Sequence, residues 1–131
     1  MSSFQTLTLA EHPDEIAPDG SEVRVLVNDA AASVAQFTLP AHRVAVAVQH
    51  RTVSEYWVVT GGTGRIWRSA EGDAEITILE PGVSLTIPVG TSFQWRNDGD
   101  EPLTVIGFDL PPWPGDDEAV PVEGEWRLSD S

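Results

Sequence analysis

Few kinds of side chain in this sequence can do chemistry. The 131 residues contain no cysteine and no lysine. Disulfides, thiolate metal sites, cysteine nucleophiles and lysine Schiff bases are therefore excluded together. What remains is imidazole (His12, His42 and His50), carboxylate, and seven basic residues that are all arginine. Imidazole and carboxylate can move protons or hold a divalent metal. An arginine at a pocket mouth can clamp a carboxylate or phosphate through two parallel bonds. Arg51, beside His50, is the arginine to consider first for that task; any other is expected to pair with surface acids. Two further motifs fall short. Gly61-Gly-Thr-Gly64 lacks the lysine and helix of a phosphate loop and reads as a tight hairpin connection. Asp116-Asp117-Glu118 lacks calcium-loop spacing and reads as a solvated turn.

The elements that must position these groups are strands. Ser21–Val27, Ala31–Leu39, Val44–His50, Glu55–Val59, Thr63–Arg68, Ala74–Leu79, Val83–Ile87, Ser92–Arg96 and Leu103–Leu110 are rich in Val, Ile, Thr, Trp and Phe, and several alternate. Turn signals such as Asn-Asp, Gly-Gly-Thr-Gly, Pro-Val-Gly and Asn-Asp-Gly-Asp separate them. Regular short strands without helical periodicity predict an all-β antiparallel barrel or sandwich. Residues 1–20 form a lead-in segment, 21–110 the barrel, and 111–131 a Pro- and Trp-containing strap. The strap's prolines exclude a central strand, while Trp113 and Trp126 predict that it is pinned across the barrel or onto a second subunit.

Composition bounds the partners. A length of 131 residues supports one domain. The net charge of −14 argues against nucleic acid and against anionic membrane surfaces. No window has the length and apolarity of a membrane-spanning helix, and the N-terminus does not read as a signal peptide, so a cytoplasmic location is expected.

Two motifs carry a family resemblance. Gly82-Val-Ser-Leu-Thr-Ile-Pro88-Val-Gly90-Thr-Ser-Phe93-Gln-Trp-Arg-Asn97 follows the second signature of the cupin superfamily except at Phe93, where the family usually places a metal-binding histidine. Upstream, residues 42–62 follow the first signature. His42 stands for its opening glycine and Val48 for its first histidine, while His50, Glu55 and Gly62 match. The chain thus resembles a small single-domain, conserved-barrel cupin, a jelly-roll or double-stranded β-helix, with partly degenerate metal-ligand positions.

That resemblance implies a barrel lumen lined by Val46, Val48, Trp57, Val59, Phe93 and Trp95, with His50 and Glu55 as its surviving polar pair. A metal such as Fe, Mn, Zn or Ni would keep only His50 and Glu55 as ligands, which is a weak site, and none is the stronger expectation. Gln94 offers no substitute ligand, because a strand neighbour of Phe93 points away from the lumen. Three readings follow. His50 and Glu55 satisfy each other inside a barrel that binds a small organic molecule; or they act as a metal-free acid/base pair of an isomerase, epimerase or cyclase; or they are the remnant of a metal site for oxygenase or isomerase chemistry. The catalytic candidates are His50 and Glu55. Val48, Trp57, Phe93, Trp95 and Arg51 are the ligand-binding candidates. Small cupins pair edges or exchange terminal segments, so the resemblance also implies a homodimer.

Overall fold

The computed structural model describes residues 4–128. Two antiparallel sheets face each other. The first has six strands: β1 (Glu15–Ile16), β2 (Glu22–Asn28), β3 (Ser33–Leu39), β10 (Leu103–Leu110), β5 (Ser54–Gly61) and β8 (Ser84–Ile87), in that spatial order. The second has five: β11 (Ala119–Pro121), β4 (Val48–His50), β9 (Ser92–Asn97), β6 (Gly64–Ala70) and β7 (Asp73–Leu79). The all-β jelly-roll expected from the sequence is the fold observed.

Alternation explains which faces meet. Along β5, Glu55, Trp57 and Val59 are buried while Tyr56, Val58 and Thr60 are exposed. Along β10, Leu103, Val105, Gly107 and Asp109 are buried. Since successive strand residues point to opposite faces, each set lines the interior between the sheets. There they meet Val48, Ile66, Phe93 and Trp95 of the second sheet in one apolar core.

Two glycines are dictated by close approach. Gly62, the last residue of the first signature, has φ +82°, and a Cβ there would meet the Pro102 carbonyl oxygen at 2.4 Å. Gly107 gives room to aromatic rings, because a Cβ on it would lie 2.4 Å from the Phe37 ring and 3.4 Å from Trp57. Both positions exclude a side chain for want of space.

The strands depart from the expected set in three places. The lead-in contributes a short strand, since Glu15–Ile16 pairs with Val23 and Glu22. The strand expected over Val44–His50 is regular only from Val48. Upstream, its backbone bonds go to different partners: Ala45 N–H donates to Trp95 O, Val46 N–H to Asp19 O, and Ala47 O accepts from Val122 N–H. The strap contributes an edge strand, β11, on β4; its Pro121 is tolerated because an edge needs only one hydrogen-bonding side. No helix among the described residues is long and apolar enough to cross a membrane.

Candidate functional site

One end of the space between the sheets is a cavity of about 250 Å³. Its wall is largely aromatic and aliphatic: Phe37 from β3, Val48 from β4, Trp57 from β5, Phe93 from β9 and Trp113 from the strap. His50, Glu55 and Asp109 supply buried polar groups, and the exposed Glu15, Asn28 and Asp116 stand at its mouth.

The sheets place these groups opposite one another. His50 ends β4 in the five-stranded sheet, whereas Glu55 begins β5 in the six-stranded sheet. The two therefore face the same cavity from opposite walls, and the expected His50–Glu55 couple is corrected. Glu55 is directly across β10 from Asp109. Its hydrogen bonds run to that carboxyl and from the Trp57 indole N–H. Burial first, then Asp109, holds Glu55 well above the usual carboxylate range, against the opposing pull of the Trp57 bond. Two buried carboxyls joined by a hydrogen bond must hold a proton between them. Burial raises Asp109 as well, while the bond from Glu55 and the proximity of His50 act the other way. Asp109 Oδ1 is buried and has no partner.

His50 sits between aromatic edges. Its ring centroid is 5.2 Å from that of Phe93 and 5.1 Å from that of Trp113, both in tilted-to-perpendicular contact. Burial pushes its pKa down, partly offset by the negative potential of Asp109 and Glu118. The buried Nδ1 has no hydrogen-bond partner.

The two positions where the resemblance led to an expectation of histidine hold apolar packing: Val48 and Phe93 are register partners on β4 and β9. Phe93 also meets Trp57 edge-on at 6.0 Å. Among the described residues, no group of three or more His, Cys, Asp or Glu side chains is arranged to hold a metal ion. With Val48 and Phe93 lacking lone pairs and Glu55 engaged by Trp57 and Asp109, the residues present do not fit a resident metal.

Two of the ligand-binding candidates lie elsewhere. Trp95 is fully buried but lines no part of the cavity; its indole N–H donates to Asp19 Oδ2 at 3.0 Å and its ring packs on Trp57 at 4.8 Å. It shares the face of Phe93 but stands two residues further along β9, deeper in the core. Arg51 is exposed on the bend after β4, because its neighbour His50 takes the inward face. Nor is His42 near the site: it is exposed and lies 2.7 Å from Asp100.

Three contributors escaped the sequence reading. Asp109 carried a usable signal, since it shares parity with Leu103 and Val105 on a strand with a buried face. Trp113 was expected to pin the strap, yet its place over His50 depends on the path after β10. Glu118, read as part of a solvated turn, is buried. It accepts bonds from Thr52 N–H (2.7 Å), Thr52 Oγ1 (2.6 Å) and Val53 N–H (2.9 Å), fixing the turn between β4 and β5. Burial opposes its ionisation, but these bonds hold its pKa below the ordinary value.

Residues 35–109 match the family model described as a cupin domain. The chain belongs to the cupin family. No curated protein matches this cupin in sequence. Its fold is similar to that of a conserved protein with a double-stranded β-helix domain from Klebsiella pneumoniae (TM-score 0.66, 17% identity, covering 86% of this chain and 92% of that one). It also resembles the capsular polysaccharide assembling protein CapF of Staphylococcus aureus (TM-score 0.71, 16% identity, 92% and 35% covered). A third similar fold is a deletion mutant of Bacillus subtilis oxalate decarboxylase (TM-score 0.69, 18% identity, 86% and 30% covered). This cupin spans only about a third of the latter two chains.

Proposed function

We propose that this cupin binds a small organic molecule in the barrel cavity, with His50 and the Glu55–Asp109 pair as its polar anchors. The observation that carries the reading is an aromatic-lined cavity of about 250 Å³ into which buried polar groups converge with Asp109 Oδ1 and His50 Nδ1 unpartnered. Small-molecule sites have this character: an apolar wall with a few convergent polar groups. An apolar cavity of about 150 Å³ already accommodates benzene, so a one- or two-ring compound suits this one.

The test is a screen of one- and two-ring compounds by tryptophan fluorescence, since Trp57 and Trp113 line the cavity. Ala35 also lines it, and Ala35→Phe fills the space. Binders found with the natural protein are expected to lose at least about tenfold in affinity in that variant, about 1.4 kcal/mol. Binding unchanged by Ala35→Phe would place the ligand elsewhere and end the reading.

One observation favours a second reading, acid/base catalysis without a metal. A buried carboxyl pair whose pKa values burial raises, facing an imidazole whose pKa burial lowers, puts groups able to give and take protons in one cavity. An isomerase, epimerase or cyclase of this kind would keep its turnover in the presence of chelators and lose it with Glu55→Gln.

The homodimer belongs to the same reading. The lead-in exposes Phe4, Leu7 and Leu9, and the edge strand β7 exposes Ile76 and Ile78. Apolar side chains on free edges and terminal segments are what strand pairing between copies covers.

A further inference from the structure

The cavity is one-sided in charge. Five acids line it: Glu15, Asp19, Glu55, Asp109 and Asp116. Among the described residues, the only basic side chain in the lining is His50, and no arginine lines the cavity. The chain has no lysine. Several arginines are committed elsewhere. Arg24 donates to the carbonyls of Ala10 and Glu11, Arg65 and Arg96 bind Asp98, and Arg68 binds Glu75 and the Thr86 carbonyl. An anionic ligand would enter a low-dielectric space against like charge and find no guanidinium or ammonium to receive it.

A cation finds the reverse. Asp109 is buried in the wall beside Glu55, and its Oδ1 receives no hydrogen bond from an N–H or hydroxyl donor. A buried carboxylate oxygen without a donor is costly to maintain unless something supplies one. His50 Nδ1, across the cavity, is a second buried polar atom without a partner. The remaining wall is aromatic, and ring faces attract ammonium groups.

From this geometry we propose that the cavity takes an organic cation, a protonated amine on an apolar one- or two-ring body, with Asp109 as its counter-ion. The proposal rests on the reading that the barrel holds a small organic molecule, and names the chemical class of that molecule. The Asp109 carboxylate accepts an ammonium N–H, while Phe37, Trp57, Phe93 and Trp113 surround the apolar body.

The experiment compares three probes of nearly equal shape at neutral pH: benzylammonium, benzyl alcohol and benzoate, titrated into the intact protein by calorimetry or tryptophan fluorescence. Benzylammonium is expected to bind at least about fivefold more tightly than benzyl alcohol, the scale of an ammonium–aromatic contact with added charge pairing. Benzoate is expected to bind least. Asp109→Asn should abolish the preference for the cation over benzyl alcohol, and Glu80→Gln, on an exposed acid away from the cavity, should leave the order unchanged. The ranking in the natural protein decides the matter even where a variant fails to fold. Benzyl alcohol or benzoate matching benzylammonium would overturn the cationic class and leave small-molecule binding standing. Failure of all three probes to bind would overturn both.

Discussion

At the scale of single residues, the carboxyl pair sets the chemistry. Glu55 and Asp109 both have pKa values raised in the folded state, chiefly by burial. The folded protein therefore holds a proton that the unfolded chain releases above the ordinary value of 4.5 for Glu55. Its contribution to stability is fully present below that value and is lost as pH rises through the raised one. His50 has the opposite sign. Its lowered pKa makes stability fall as pH drops below 6.5 toward the folded value. Glu55→Gln keeps the acceptor for Trp57 and a permanent donor for Asp109. This variant is expected to match the natural protein in acid and to gain on it steadily as pH rises, by about 1–3 kcal/mol once the natural pair would have to ionise. Thermal melts of both proteins across the pH range measure this, and parallel curves would show that Glu55 carries no shared proton.

At the scale of elements, the strand rhythm and the hairpin turns were legible, because alternation and turn chemistry are local. The signatures also placed His50 and Glu55 correctly on inward faces. What the sequence hid was register and sheet membership. Glu55 meets Asp109 through β5–β10 pairing between segments 54 residues apart in number, and nothing local in either segment announces that contact. His50 and Glu55 look adjacent in sequence, yet the bend that Glu118 fixes sends their strands to different sheets. Gln94 shows the same division. Its outward orientation followed from parity, but not its use as a clamp on the strap, through bonds to Ala45 O and to both backbone groups of Trp126. Gln94→Ala is expected to cost about 1–3 kcal/mol, the penalty for leaving buried partners unpaired. It should also speed amide exchange at Trp126, whose ring lies 5.4 Å from the guanidinium carbons of both Arg65 and Arg96. Exchange that stays slow in Gln94→Ala would assign the anchoring to the rings alone.

At the scale of the whole molecule, charge and edges govern association. A net charge of −14 disfavours close approach of two copies at low salt, so the proposed homodimer is expected to tighten as salt rises. Removing residues 1–10 takes away Phe4, Leu7 and Leu9, and with them the exposed apolar face of the lead-in. Sedimentation of the shortened protein is expected to show a monomer at concentrations where the full chain is dimeric. A dimer of unchanged strength would move the interface to the β7 edge.

The strap has a consequence in time. A ribosome that has released residues through Leu110 has delivered all the strands from β1 to β10. It has not delivered Trp113 over His50, the Glu118 carboxylate beneath the bend, or the β11 edge beside β4. Until then the pocket lacks a wall, so the proposed binding of a ligand requires synthesis to have run past residue 121. Any ligand that steadies the finished protein is then a latecomer to its folding, and guards the product without guiding its birth.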